Sequence, residues 1–288
     1  MNISRLLSVA PMMERTDRHC RYFFRLLSQQ TLLYSEMINA NAITKGNKTR
    51  LLNFSEIEHP LALQIGGSDP KLLAEATKIG VDWGYDEINL NVGCPSSRVS
   101  SGDFGAVLMK RKDHVAKCVD AMAQFSSNVP ISVKCRIAVD DQDPEKILPS
   151  FIKTVSNSGV SIFIIHARKA ILSGLSPKDN RKIPPIDYNL VKKIKTQFPQ
   201  LEICLNGEIK DLSTVMNFIN DGINGCMIGR EVYKNPSKIL ENADEKIFKK
   251  IDLSGKSKKR TLYEALLKMI PYLESHLQKG GKASSVLR

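Results

Sequence analysis

The sequence predicts an α/β fold, a TIM (β/α)8 barrel followed by a small helical C-terminal domain, and three observations carry that prediction. Eight short β-rich runs recur at fairly regular spacing, each is followed by a stretch of helical character, and 288 residues suffice for one barrel with an appendage. Strands alternating with helical patterns imply βαβ units and a parallel sheet, and a count of eight favours closure over a doubly wound sheet. Hydrophobic residues at 42% and charged residues at 25% suit a large buried core, which sets the disordered and fibrous classes aside.

In chain order, strands are expected at Ser8–Met12, Leu32–Ile38, Leu61–Ile65, Glu87–Val92, Ile131–Ile137, Ile162–Ala167, Glu202–Asn206 and Gly225–Gly229. Asp69 before Pro70 reads as an N-cap with proline at the first helical position, and Gly80 as that helix's stop. Asp143 before Pro144 repeats the start signal, with Gly159 as the stop. The barrel is expected to fill residues 1–236. Residues 237–288 then form a helical region in which Leu262, Ala265, Leu266, Met269 and Ile270 trace one apolar face, with Lys256–Arg260 a basic linker.

Charge concentrates in that last region. Between Lys246 and Arg288, 11 Lys/Arg stand against 3 Asp/Glu, so 11 − 3 = +8 of the chain's +12 lies there. On charge alone, a polyanion-binding face and a solvated basic tail both remain open. No apolar run approaches the ~18 residues needed to span a bilayer, and MNISRLLSVAPMM lacks the apolar core and cleavage site of a secretory leader. No membrane partner is expected, and the expected location is cytoplasmic. Cys20, Cys94, Cys118, Cys135, Cys204 and Cys226 include no C-x-x-C pair, so reduced thiols and no metal site are expected.

Alternation sorts the strand faces. In EINLNVG, Ile88, Leu90 and Val92 oppose Asn89 and Asn91; in ISVKCRI, Ile131, Val133 and Cys135 oppose Lys134 and Arg136. The apolar sets pack against helices, which turns the polar sets into the barrel. A lysine there is costly to bury without an anionic or hydrogen-bonding partner, so Lys134 implies a ligand. Active sites of such barrels sit at the C-terminal strand ends. The candidates there are Met12 and Met13, Gln64, Asn91 and Cys94, Lys134, His166 and Arg168, Asn206-Gly207-Glu208, and Gly229-Arg230. Every strand but the second contributes. Gly207 and Gly229, after strands seven and eight, would let backbone N–H groups approach a phosphate, and Arg230 would add a charge-assisted bond. Cys94 precedes Pro95 in a polar loop, where a packing role does not fit.

APMM (10–13), LALQIGG (61–67), INLNVGCPS (88–96), GDFGAVLM (102–109), VKCRI (133–137), IIHARKA (164–170), LNGEI (205–209) and GREVYKNP (229–236) resemble the motif series of the tRNA-dihydrouridine synthases. HARKAILSGLSPKDNRKIPP (166–185) is similar to the A-type bacterial branch. The resemblance covers roughly residues 8–240. It implies an FMN-dependent reductase that saturates uridines at and next to position twenty of the tRNA D-loop, with NADPH reducing the flavin. It places Pro11, Met12 and Met13 along the flavin ring, Gln64 at its polar edge, Lys134 near the ring, and His166 near the phosphate. Asn206, Gly207, Glu208, Gly229 and Arg230 would hold that phosphate. Cys94 would be the proton donor, and Asn91, Arg168, Lys178 and Arg181 would meet the RNA.

The residue types fit that chemistry. Hydride delivered to C6 of uracil leaves enolate charge that a proton at C5 must relieve, and a thiol with a reference pKa of ~8.5 both holds a proton at neutral pH and releases it. Asn91 would bond the base, and Lys134 or Arg168 would steady the developing oxyanion. Gly93 and Gly102 bracket Cys94 and would free its loop to close. The sequence departs from the family at Glu208, whose side chain would repel a phosphate. It also stops at SSVLR, where the family's helical RNA-binding region usually continues, so that region is expected to be shortened. A monomer is expected. Two rival readings are a barrel flavoenzyme reducing a free pyrimidine and a tRNA-binding protein without turnover.

Overall fold

The computed structural model describes residues 3–96, 99, 101–249 and 260–286; most of the Lys256–Arg260 linker lies outside them. Eight parallel strands are joined in the order β1-β8-β7-β6-β5-β4-β3-β2. They are β1 (Leu7–Val9), β2 (Leu33–Asn39), β3 (Leu61–Gly66), β4 (Glu87–Val92), β5 (Ile131–Arg136), β6 (Ile162–His166), β7 (Glu202–Asn206) and β8 (Gly225–Ile228). A parallel bridge between Ser8 and Leu32, with Val9 N–H donating to the Leu32 carbonyl at 2.9 Å, closes β1 onto β2. Eight strands, each near its expected place, thus form the predicted barrel. The first ends three residues early: Met12 leaves it for a turn, its carbonyl accepting from the N–H groups of Arg15 and Thr16.

Around the barrel lie α1 (Arg18–Leu27), α2 (Ala40–Lys45), α3 (Lys48–Leu52), α4 (Pro70–Asp82), α5 (Lys112–Ala123), α6 (Pro144–Ser156), α7 (Tyr188–Gln197) and α8 (Leu212–Asn220). Asp69 and Asp143 cap α4 and α6 as expected, accepting from Lys71 and Leu72 and from Glu145, with Pro70 and Pro144 in the first turns. Gly80 does not stop α4. The helix runs on to Asp82, and Gly80 is there because a Cβ would lie 2.7 Å from Leu63 and 2.8 Å from Ile88. Gly84, at φ +89°, makes the turn instead.

The two faces of the sheet divide as the alternation requires. Ile88, Leu90 and Val92 of β4, with Val133 and Cys135 of β5, pack into the layer under the helices. A smaller cluster of Ala10, Leu32, Tyr34, Ala62, Ile162, Ile164, Cys204 and Met227 fills the inside. At the barrel floor, fully buried Glu87 accepts from Arg5 Nε at 2.7 Å and from the Tyr34 hydroxyl at 2.6 Å, while Arg5 also reaches Glu202 at 3.0 Å. Burial disfavours the Arg5 charge, but the two carboxylates outweigh it and raise its pKa.

After β8 come α9 (Arg230–Lys234), α10 (Pro236–Leu240), α11 (Ala243–Lys246), α12 (Leu262–Gln278) and α13 (Ala283–Val286). The apolar face of α12 is rotated from the expected one. Ala265 is buried and Met269 packs on the core, but Leu266 and Ile270 are 51% and 53% exposed. Aromatic groups complete the docking face: the Tyr272 ring stacks on Tyr22 at 4.0 Å, its hydroxyl meets His19 Nδ1 at 2.7 Å, and the His276 ring lies edge-on to His19. Among the described residues, no helix is long and apolar enough to cross a membrane.

Gly225 begins β8 with its Cα against the floor, and a Cβ there would stand 1.8 Å from the Arg5 carbonyl oxygen. The clash is with the backbone of Arg5 and Leu6, which leads into β1 and cannot swing aside. Gly225→Ala is expected to cost about 3 kcal/mol or more, seen as a lower urea midpoint than wild type with an unchanged slope.

Candidate functional site at the barrel mouth

Strand register determines which side chains share the mouth. Asn91 of β4 lies opposite Lys134 of β5, Arg136 opposite His166 of β6, and His166 opposite Asn206 of β7. All five point inward by alternation. Lys134 Nζ donates to Asn206 Oδ1 at 3.1 Å, and Asn206 Nδ2 donates to the Met227 carbonyl at 2.8 Å. Burial, then the neighbouring Arg136 charge, lowers the Lys134 pKa to about 8. Burial also pushes His166 well below its usual range, and Arg136, Lys134, Arg168 and Arg230 add to the effect, so this imidazole is neutral at pH 7.

Cys94 follows β4 on a short tether. Its N–H and that of Gly93 donate to Asn91 Oδ1 at 3.0 and 3.1 Å, and its carbonyl accepts from Ala106 at 2.9 Å. A Cβ on Gly105, at φ +76°, would lie 2.6 Å from that carbonyl, so the close crossing of the two segments requires glycine. Gly93 adopts no left-handed conformation; its Cα instead lies against the β5 backbone, and a Cβ would sit 3.4 Å from the Lys134 carbonyl. Below Cys94, Asn91 Nδ2 donates to Gln64 Oε1 at 2.8 Å, Gln64 Nε2 to Asn89 Oδ1 at 2.7 Å, and Asn89 Nδ2 to the Ser132 hydroxyl at 2.7 Å. Ser132 donates in turn to Glu87 Oε1.

The loop after β6 forms the opposite wall. Arg168 is 4% exposed and holds Glu208 at 2.8 Å with Nη2, while Nη1 donates to the carbonyls of Lys182 and Pro184. The Glu208 carboxylate is therefore turned into an ion pair with Arg168. Arg136 joins the two walls, its Nε donating to the Gly93 carbonyl at 3.1 Å and its Nη1 to those of Lys169 and Asn180 at 3.2 Å. Burial, then Arg230, lowers the Arg181 pKa, and Cys94 lies close enough to act on the charges of both Arg136 and Arg181. Gly207, at φ +127°, has no room for a side chain: a Cβ would meet His166 and Ile186 at 3.0 Å. Gly229 caps α9 and faces Ala10 and Met12. Among the described residues, Arg168 Nε and Arg181 Nε are buried with no hydrogen-bond partner.

The structure gathers Asn91, Cys94, Lys134, His166, Arg168, Arg181, Asn206, Gly207, Glu208, Gly229 and Arg230 around the mouth. Pro11 and Met12 are half-buried beside it and Met13 is 56% exposed, whereas Lys178 is exposed on the outer loop. Gln64, 1% exposed, lies beneath Asn91 with both amide ends bonded. Sequence reasoning missed Arg136, which alternation had turned inward without giving it a task, and Asn180, whose buried amide ties Ile171, Leu175 and Ser176 together. It also passed over β2, whose Glu36 accepts from the Glu14 N–H and so braces the loop carrying Met12 and Met13. A separate cleft of about 490 Å³, lined by Lys110, Lys112, His114, Gln142 and Phe151, opens on the helical flank. This cleft carries cations too, but the mouth brings its cations together with the Cys94 thiol. Among the described residues no group of His, Cys, Asp and Glu could hold a metal ion.

The dihydrouridine synthase (Dus) family profile matches residues 8–288. The chain is 49% identical over 282 residues to a tRNA-dihydrouridine(20/20a) synthase of Synechocystis, covering 98% of this chain and 82% of that protein. It is 51% identical over 275 residues to the synthase of that name from Vibrio cholerae, covering 95% and 81%. An old yellow enzyme homologue from Zymomonas mobilis shares the fold with a TM-score of 0.62 at 12% identity, covering 89% of this chain and 94% of that one.

Because the folded-state pKa of Lys134 lies below its ordinary value of 10.5, the unfolded chain binds more protons between the two. Stability from this site therefore rises with pH from about 8 and is level below it. Lys134→Met is expected to raise the melting temperature of the ligand-free protein at pH 7, and the gain should vanish near pH 10.5. Melting curves across that window check the sign.

Proposed function

The chain belongs to the dihydrouridine synthase family, and from that premise we propose that it acts in the cytoplasm, reducing uridine to 5,6-dihydrouridine in the D-loop of tRNA. In this reading FMN is the bound flavin, NADPH its reductant and Cys94 the proton donor. The observation that carries it is a thiol tethered at a barrel mouth where Lys134, Arg136, Arg168, Arg181 and Arg230 converge, with one carboxylate, Glu208, already paired to Arg168.

The residues present fit FMN. The cation excess, the orphaned Nε atoms of Arg168 and Arg181, and the crowded, left-handed Gly207 all suit a phosphorylated group lying against backbone N–H donors. Asn206, Gly207, Gly229 and Arg230 would hold the phosphate beside neutral His166, with Glu208 contributing only backbone. Pro11, Met12 and Met13 would flank the ring, and Gln64 and Lys134 would meet its polar edge. When bound, FMN supplies hydride to C6 of the base. Asn91 Nδ2 keeps one hydrogen free of Gln64 to donate to a uracil carbonyl. Cys94 Sγ holds the proton that C5 requires. Charge developing on the base falls to Lys134 rather than Arg168, because both Nη atoms of Arg168 are committed to Glu208 and the loop carbonyls. The barrel, residues 1–236, would carry the flavin, and the basic region 237–288 would join Arg181 and Lys178 in binding tRNA as a monomer.

Mapping dihydrouridine in total tRNA from cells with and without the protein tests the reading: loss at the uridines around position twenty supports it, and an unchanged map overturns it. Cys94→Ala is expected to stay yellow and to be reduced by NADPH, yet to form product at least ~100-fold more slowly. Wild-type yield from that variant would remove Cys94 from the acid role.

A further inference from the structure

The side chains that join the barrel floor to the Cys94 loop form one file, and every bond in it points the same way. Gly93 and Cys94 donate to Asn91, Asn91 to Gln64, Gln64 to Asn89, Asn89 to Ser132, and Ser132 to Glu87. Glu87, Asn89 and Ser132 are fully buried, and Gln64 and Asn91 nearly so. Asn and Gln amides have ends of almost equal shape, so packing does not choose between oxygen and nitrogen; the polarity of the partners does.

That polarity starts at Glu87. Its oxygens accept from Arg5, Tyr34 and Ser132, and burial keeps the Tyr34 phenol protonated as a donor. Ser132 has one hydrogen and gives it to Glu87, which leaves a lone pair for Asn89. Asn89 must then offer Nδ2 downward and Oδ1 upward. The same constraint passes through Gln64 to Asn91, whose Oδ1 ends against the two loop N–H groups.

We infer that Glu87 and Ser132 are positioning residues for the mouth: the floor carboxylate fixes the orientation of the Asn91 and Gln64 amides and thereby holds the Cys94 loop. Reversing the file would set Asn91 Nδ2 against the N–H groups of Gly93 and Cys94, two donors facing a donor, and would turn toward any ligand an oxygen where the site now offers N–H. This holds whatever ligand the mouth receives, so its failure is separable from failure of the proposed activity.

The test is amide hydrogen exchange, read by NMR, on two variants of the full chain. Glu87→Gln replaces the acceptor; Ser132→Ala cuts the file while leaving the Arg5–Glu87–Tyr34 cluster in place. In each, protection of the Gly93 and Cys94 amides is expected to fall at least 10-fold relative to wild type. The Ala167 amide, bonded to the Asn206 carbonyl at the same end of the barrel, is expected to keep its protection. In the RNA assay, kcat should fall more than KM changes. Unchanged protection at Gly93 and Cys94 in Ser132→Ala would overturn the inference, as would equal loss at Ala167, which would mark a general loosening. Should Glu87→Gln fail to fold, Ser132→Ala decides alone.

Discussion

A carboxylate buried in the floor of a closed barrel is tolerable only when its lone pairs are met, and meeting those of Glu87 organises much of what lies above it. Arg5, which precedes the first strand, reaches into the floor for this purpose and joins Glu87 of β4 to Glu202 of β7. The interior is lopsided in consequence. Along β3, β4 and β5 it is a column of amides and hydroxyls, while Ile162, Ile164, Cys204 and Met227 make the other half apolar. A half-satisfied column would be worse than an apolar core, so its members stand or fall together.

The upper end faces the opposite problem. Lys134, Arg136, Arg168, Arg181 and Arg230 crowd a low-dielectric opening and depress one another's proton affinity or that of His166. Backbone carbonyls take up part of this charge: Arg136 is spent on Gly93, Lys169 and Asn180, and Arg168 on Lys182 and Pro184. Lys134 meets only a neutral amide oxygen by comparison. Burial and Arg136 lower its pKa to about 8, and a bound anion would raise it again.

What the sequence reveals follows from the range of the physics. Period-two alternation is local, so EINLNVG and ISVKCRI disclose that Asn89, Asn91, Lys134 and Arg136 face inward, and the Asp-Pro pairs disclose two helix starts. Contacts between residues far apart in the chain are not local. Nothing near Glu208 announces that Arg168 pairs with it, and that pairing offsets the negative charge its side chain brings. Likewise, Gly80 reads as a stop because glycine ends helices, but its reason here is Leu63 and Ile88 on the strands beneath. The α12 face went astray for a related reason: hydrophobicity picks Leu266 and Ile270, whereas the helix docks through Tyr272 and His276 on the aromatic and imidazole rings of α1.

The single guanidinium that grips the carbonyls of Lys182 and Pro184 leaves Ile183 between them, 64% exposed. Those grips are made to main chain, which every residue carries. The shape of this stretch is therefore held by Arg168, just beyond β6, and by the buried Asn180 amide rather than by the side chains at its tip. A side chain at the tip, such as that of Ile183, can therefore be exchanged without remaking the turn beneath it.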